Sequence, residues 1–431
     1  MSRTFASSLA LLLAAGCVRD TPAPPFPWCS DPAPVVPDGG PAVTYAADVA
    51  PILAARCTGC HTVGAIAPFA LTSYALAVAN APAVRAAVLA RLMPPWPLAH
   101  CAQRYPSDFS LGDGEIATLV AWVDQGTPEG SSPATPPAPA QAPQASALSR
   151  VDLTLTLSRP YLPKPAAGKT DELRCFILDW PETESRFVTG FDVRPTAPTE
   201  VHHARAYVVD ASTALLDTLQ DGLDGRPGFP CAGGVFGAKG IIGAWRPGAH
   251  GEALPAGLGY RVDPGSKIIL GLHFRTGSVP VPDQTSIDLT LESQVAHEAR
   301  LVYATDPGWE KGGMRIPAGA SDVPFAYQTD PTLQSGGKPM KLYAANLHMH
   351  EHGVKMLLGL RHADGTTEPL ALDPRWNYFW VGEDYFFDQP IDAGAGDQLY
   401  VECHFDNSAG RADLNWGNDQ EMCVGYVTAT W

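Results

Sequence analysis

Cys57-Thr58-Gly59-Cys60-His61 sets two thiols and an imidazole within one turn of chain. Thiols at this spacing beside a histidine suit covalent attachment of haem c. The sulfurs bond the vinyl groups and the imidazole reaches the iron from one side. The same residues could form half of a zinc site, but zinc needs a second ligand pair at suitable spacing, and this segment offers none. Met93, in Arg91-Leu92-Met93-Pro94-Pro95-Trp96, is the expected second axial ligand. A thioether there suits electron transfer, and the Pro-Pro pair stiffens the loop that presents it. The competing role for a single methionine is core filling.

The twelve histidines are unevenly spread. His202-His203 are adjacent, His273 lies in an apolar run, and His348-Met349-His350 alternates. Residues two apart on a strand face one side, so His348 and His350 can grip one metal. Adjacent residues point apart, so His202 and His203 share a metal only at a strand end or irregularity. Pro195–Thr199 just upstream leaves room for one. His352 would share the face of His348 and His350 on a regular strand, so spacing leaves the ligand pair open. Taken singly, each group is more readily a hydrogen-bonded core residue, and zinc competes with copper for an HxH pair. His404 reads as core or as a support to a ligand. The aromatic run Trp376–Trp380 reads as sandwich core.

The elements that must hold these residues fall into two kinds. Val49, Ile52 and Leu53, then Ile116, Leu119, Val120 and Val123, repeat at helical spacing, with Gly126 as a stop. Beyond residue 148 the runs Val151–Leu157, Phe187–Val193, Ile268–Phe274, Ser286–Glu292, Lys355–Leu360 and Leu399–Phe405 are β-rich and separated by Gly, Pro, Asp and Asn. Thr21–Ala42 and Thr127–Ala147 are Pro/Ala-rich and read as stiff linkers. The expected division is a leader at 1–17, a linker at 18–42, a helical haem segment at 43–127, a linker at 128–148, and β domains at 149–297 and 298–431.

With 431 residues and 45% hydrophobic composition, the chain can bury several cores. Only 17% of residues are charged and the net charge is −16. An acidic chain repels phosphate backbones, so nucleic acid is not an expected partner. Arg3 and the apolar Leu9–Ala15, ending in Ala14-Ala15-Gly16-Cys17, read as an export signal too short to span a bilayer. The end of that signal resembles the bacterial lipobox, which implies acylation of Cys17 and a lipid-anchored protein in the cell envelope. Val18 follows the cysteine, and the outer membrane is the expected site. Of nine cysteines, one for lipid and two for haem leave an even six, which suits three disulfides in an exported chain.

Residues 43–127 resemble the small cytochrome c domains fused to bacterial oxidoreductases, whose distal methionine sits in such an MPPW loop. The ordered set HH, H, HxH and Glu421-Met422-Cys423 resembles the copper type II, ascorbate-dependent monooxygenases over roughly residues 150–431. That resemblance implies a small all-α cytochrome c domain followed by two all-β jelly-roll sandwiches with one copper each. His202, His203 and His273 would hold an electron-transfer copper. His348, His350 and Met422 would hold the catalytic copper, and Tyr426 would line the substrate pocket. The Cys403–Cys423 disulfide is likewise implied. Cys29–Cys101 and Cys175–Cys231 are the expected remaining pairs, with the pairing of those four left open.

The implied activity is hydroxylation of a C–H bond of a small molecule by O2. Two copper ions, one covalently bound haem c and an electron donor (an ascorbate-like reductant or a redox protein) are expected. Asn346 stands where the peptide-acting relatives carry a carboxylate-clamping arginine, which argues against a glycine-extended peptide. The alternatives are a non-catalytic haem/copper envelope lipoprotein that relays electrons or holds copper, and a scaffold with structural zinc.

Overall fold

The computed structural model describes residues 26–35, 42–131, 148–231, 235, 237–247, 249, 251–277, 279–380, 384–417 and 420–431. The leader with Cys17 and parts of both expected linkers lie outside them. Strands dominate. A nine-stranded sheet runs in the order Leu153–Thr156, Ser286–Glu292, Arg186–Arg194, Leu258–Val262, His297–Ala304, Val424–Thr430, Met340–His348 and Tyr385–Ala393, with Glu252–Ala253 beside Arg186–Arg194. Its first half faces a five-stranded sheet of Phe229–Pro230, Asp171–Asp179, Lys267–Arg275, Val201–Val209 and Ala238–Trp245. Its second half accompanies a four-stranded sheet of Val323–Thr329, Gln398–Phe405, Gly353–Arg361 and Thr367–Asp373.

Two cores result. One is built on Val188, Phe191, Val201, Ala204, Leu270, Leu272 and Phe274, and the other on Val302, Leu342, Leu347, Met356, Leu358, Val401 and Val427. The halves share a sheet because His297–Ala304 pairs in parallel with Leu258–Val262 on one side and antiparallel with Val424–Thr430 on the other. Alternation drives the pattern. Val201–Val209 buries Ala204, Ala206 and Val208 in one core, as a period of two requires, and Val201 joins them across an irregularity.

The expectation of a small all-α cytochrome c domain followed by two separate sandwiches is overturned. Among the described residues the protein is mostly β-sheet in several sheets, with only four α-helices. Ala50–Arg56, Tyr74–Leu89 and Asp113–Asp124 do pack together through Leu53, Ala77, Val88, Ile116, Leu119 and Trp122. The large side chains of the same segment go elsewhere, however. Trp96, Leu98 and Tyr105 are buried in the second β core with Met349 and Tyr385. The Tyr105 hydroxyl donates to the Leu370 carbonyl at 2.7 Å, and Ala99 N–H donates to Leu372 at 2.9 Å. Phe26 stacks on Tyr400 at 4.8 Å over Gly359, where a Cβ would collide with its ring. The helices are an extension of the β body. Tyr74–Leu89 buries little but alanine, and so small an apolar surface suits an appended layer better than an independent core.

Candidate metal centres

Val201–Val209 follows a turn pinned by the Asp283 carboxylate, which accepts from Thr196 and Ala197 N–H at 2.9 Å each. Val201 pairs with Phe274 and His203 with His273, so the register shifts at His202. A bulge of this kind re-aims a side chain, and here it lets two adjacent histidines serve one point. The rings of His202 and His203 lie 5.0 Å and 4.6 Å from that of His273. One nitrogen of each ring lies within 4.8 Å of the others. These three residues could hold a metal ion.

The donors are prepared for it. Both ring nitrogens of His202 are buried without a hydrogen-bond partner, and Nδ1 of His203 stands 3.2 Å from Nδ1 of His273. Buried polar atoms are ordinarily satisfied, so nitrogens gathered this way fit a bound cation. Nε2 of His273 hydrogen-bonds Asp171 Oδ1 at 2.9 Å, which orients the ring and leaves Nδ1 for a metal. Burial, then the neighbouring His273 and Arg275, lowers His202 to about 3. Burial also holds His203 well below the usual imidazole range. Both are neutral at pH 7, the form a metal requires.

The second group lies across the shared sheet. Met340–His348 ends at His348, and His350 stands in the turn that follows. The two rings meet edge-on at 5.1 Å. His348 has a buried Nε2 without a hydrogen-bond partner, and burial keeps its imidazole neutral. Nδ1 of His350 hydrogen-bonds the Gln420 carbonyl at 3.0 Å, leaving Nε2 as its donor atom. His352 likewise turns Nδ1 to a backbone carbonyl, that of Asp406, at 3.1 Å.

The Glu421 carboxylate accepts from His350 N–H at 2.9 Å and from His352 N–H at 2.6 Å. It thereby ties Met422's own stretch to this turn. Val424 pairs with His348, and Cys423 is disulfide-bonded to Cys403. Met422 therefore sits two residues from the partner of His348. Tyr426 is half-buried, its ring 6.2 Å from that of His348.

A cavity of about 60 Å³ touches both groups, lined by His203 and His273 from one and His348 from the other, with Arg205, Tyr207 and Tyr378. The Arg205 guanidinium donates to Asn346 Oδ1 at 3.2 Å, and Asn346 passes a 3.0 Å hydrogen bond to Asp384. This charge adds to burial in keeping both His203 and His348 unprotonated. Sequence reasoning missed the aromatic run. Trp376 is core as expected. Tyr378, Phe379 and Trp380 instead bring their rings to 6.1 Å from His350, 5.7 Å from His273 and 4.8 Å from His202.

In the N-terminal extension, Cys57 and Cys60 are free thiols, while Cys29–Cys101, Cys175–Cys231 and Cys403–Cys423 form disulfides. His61 turns Nδ1 to the Phe69 carbonyl at 2.9 Å, which leaves Nε2 as donor. Two unbridged thiols and an imidazole nitrogen are the groups that covalent haem attachment uses. Met93 lines a different space, a cavity of about 250 Å³ with Leu111 and Ile116, whose lining does not include His61. His404 bridges Asp322 and Glu402 at 2.6 and 2.8 Å, a structural role away from both groups.

The chain also carries a family signature. Residues 311–429 match the C-terminal domain of the copper type II ascorbate-dependent monooxygenases. That stretch contains His348, His350, Met422 and Tyr426, and it implies copper. No curated protein matches the chain. Among solved structures it is similar to a protein assigned as an α-L-fucosidase from Bacteroides ovatus ATCC 8483, at 8% identity over 73% of this chain and 42% of that one, with TM-score 0.15. A Paenibacillus xanthan lyase shares 10% identity over 70% of this chain and 28% of that one, with TM-score 0.17. The infectious bursal disease virus Gx strain structure shares 12% identity over 66% and 74%, with TM-score 0.15. This chain spans less than half the length of the first two, and scores at this level carry no argument.

Proposed function

We propose that this protein is a copper-dependent monooxygenase that hydroxylates a C–H bond of a small molecule with O2 and two electrons from an external donor. The observation that carries the reading is the meeting of His202, His203 and His273, one ring nitrogen of each within 4.8 Å of the others, in a chain whose C-terminal part matches a copper monooxygenase family. His202, His203 and His273 hold one copper, and His348, His350 and Met422 the other. When bound, copper supplies one-electron redox chemistry and a site for O2. Imidazoles with a thioether favour the reduced ion at the second site. The chain's part is to keep His202, His203 and His348 neutral and to orient His273 through Asp171 and His350 through the Gln420 carbonyl.

Cys57, Cys60 and His61 would carry a c-type haem, and haem supplies a one-electron carrier when bound. Cys17 carries the lipid that anchors the protein in the envelope, expected at the outer membrane.

The test is metal analysis joined to oxygen uptake. Two coppers per chain and substrate-dependent O2 consumption across a panel of small hydroxylation substrates are expected. Two coppers with no such consumption would leave a copper-holding electron carrier, and zinc in their place would leave a structural scaffold. A haemochrome spectrum that is lost in Cys57→Ala/Cys60→Ala tests the haem assignment separately.

A further inference from the structure

Tyr378, Phe379 and Trp380 are consecutive, yet their rings reach ligands of both groups: His350 at 6.1 Å, His273 at 5.7 Å and His202 at 4.8 Å. The stretch before them is pinned. Trp376 is buried and its indole N–H donates to the His350 carbonyl at 3.1 Å. The Arg375 guanidinium donates to the carbonyls of Ala90 and Arg91 at the end of helix Tyr74–Leu89. Asn377 is exposed, and Tyr378, Phe379 and Trp380 are each part-exposed. The three rings thus stand between solvent and histidines that are almost wholly enclosed.

The space that Tyr378 borders is small. About 60 Å³ remains where both histidine groups border one cavity, whereas a cavity that takes benzene holds roughly 150 Å³. O2 fits such a space and an aromatic ring does not. Resting on the copper reading above, we infer that Tyr378–Phe379–Trp380 is an aromatic gate that decides which molecules reach the two centres. Closed, it passes molecules of a few atoms. A substrate the size of benzene or larger enters only when the tip lifts from its fixed base at Arg375–Trp376. The gate therefore sets specificity by size, and small compact molecules are the favoured class.

The test uses the full chain without metal, so it does not depend on turnover. Diethyl pyrocarbonate, a histidine acylating reagent larger than benzene, is applied, and the rate at each histidine is read by peptide mass spectrometry. In the wild type His202 and His350 should react at least tenfold more slowly than His100, which is 41% exposed in its side chain and lies elsewhere. Trp380→Ala should raise the rate at His202 at least tenfold and leave His350 unchanged, and Tyr378→Ala should do the reverse. Loss of fold would expose both together, so the selective pattern separates gating from unfolding. Rates in either variant equal to wild type, or a rise at both histidines in each single variant, would overturn the gate. Copper stoichiometry of the wild type judges the metal reading independently: a protein that binds no copper can still show the selective protection.

Discussion

Asp171 Oδ1 accepts the Nε2 proton of His273 at 2.9 Å from the neighbouring strand, where Leu173 pairs with His273. The carboxylate fixes one tautomer, and so decides which nitrogen faces His202 and His203. Asp171→Ala should therefore weaken copper binding at the three-histidine site by about ten- to a hundredfold, the usual cost of removing a partner that orients a ligand. Competition titration with a chelator of known affinity reads this. Unchanged affinity would show that strand geometry alone holds the ring.

Met422 sits beside Glu421, whose carboxylate binds the turn of His350. Met422→Ala should abolish substrate-dependent oxygen uptake while leaving copper at His202, His203 and His273. Because a soft thioether favours Cu(I), the loss should be larger for the reduced metal than for the oxidised one. Normal turnover in this variant would remove Met422 from the catalytic set.

The Cys403–Cys423 bridge closes a separation of 20 residues and fastens the stretch carrying Met422 to Gln398–Phe405. Cys403→Ala/Cys423→Ala should cost about 3 kcal/mol of stability, on the chain-entropy scale for a loop of this length. It should also loosen the second metal group more than the first. Denaturant midpoints and copper counts for each site, taken together, check both halves.

Asp373 is fully buried, with Oδ1 accepting from Arg375 N–H at 2.9 Å and Oδ2 without a hydrogen-bond partner. Burial pushes its carboxyl up to about 7. The unfolded chain ionises this group near the ordinary carboxylate value of about 4. Stability is thus fully present below that value and falls as pH rises toward 7. Asp373→Asn is neutral throughout, so its stability relative to wild type should grow from pH 4 to pH 8. Three pKa units amount to on the order of 4 kcal/mol. Urea midpoints across that range measure it, and a gap that stays flat with pH contradicts the assignment.

Short-range chemistry was the legible part of this chain. The adjacent His202-His203 demanded an irregular strand entry, and the register shift at His202 supplies one. The three disulfides expected from the cysteine count and the resemblance are present. Two features were hidden for physical reasons. Tyr378–Trp380 lies on a turn, where no periodicity reveals which way a ring points, so a run that read as core stands over both metal groups. The helical segment looked self-contained because its repeats are local. Tyr105 hydrogen-bonds a residue 265 positions away, and nothing near it in sequence announces that partner. An ideal strand treats His350 and His352 alike, and only the folded turn sets the His350 ring 5.1 Å from that of His348.

The parallel ladder between His297–Ala304 and Leu258–Val262 has a mechanical consequence. Two sandwiches joined by a linker could swing like the halves of a shell, changing the distance between their metals during a cycle. Here residues 297–299 are laddered to one half and 300–304 of the same strand to the other, with no linker between them. So direct a join resists any change in the separation of the two histidine groups, as a hinge with no slack would.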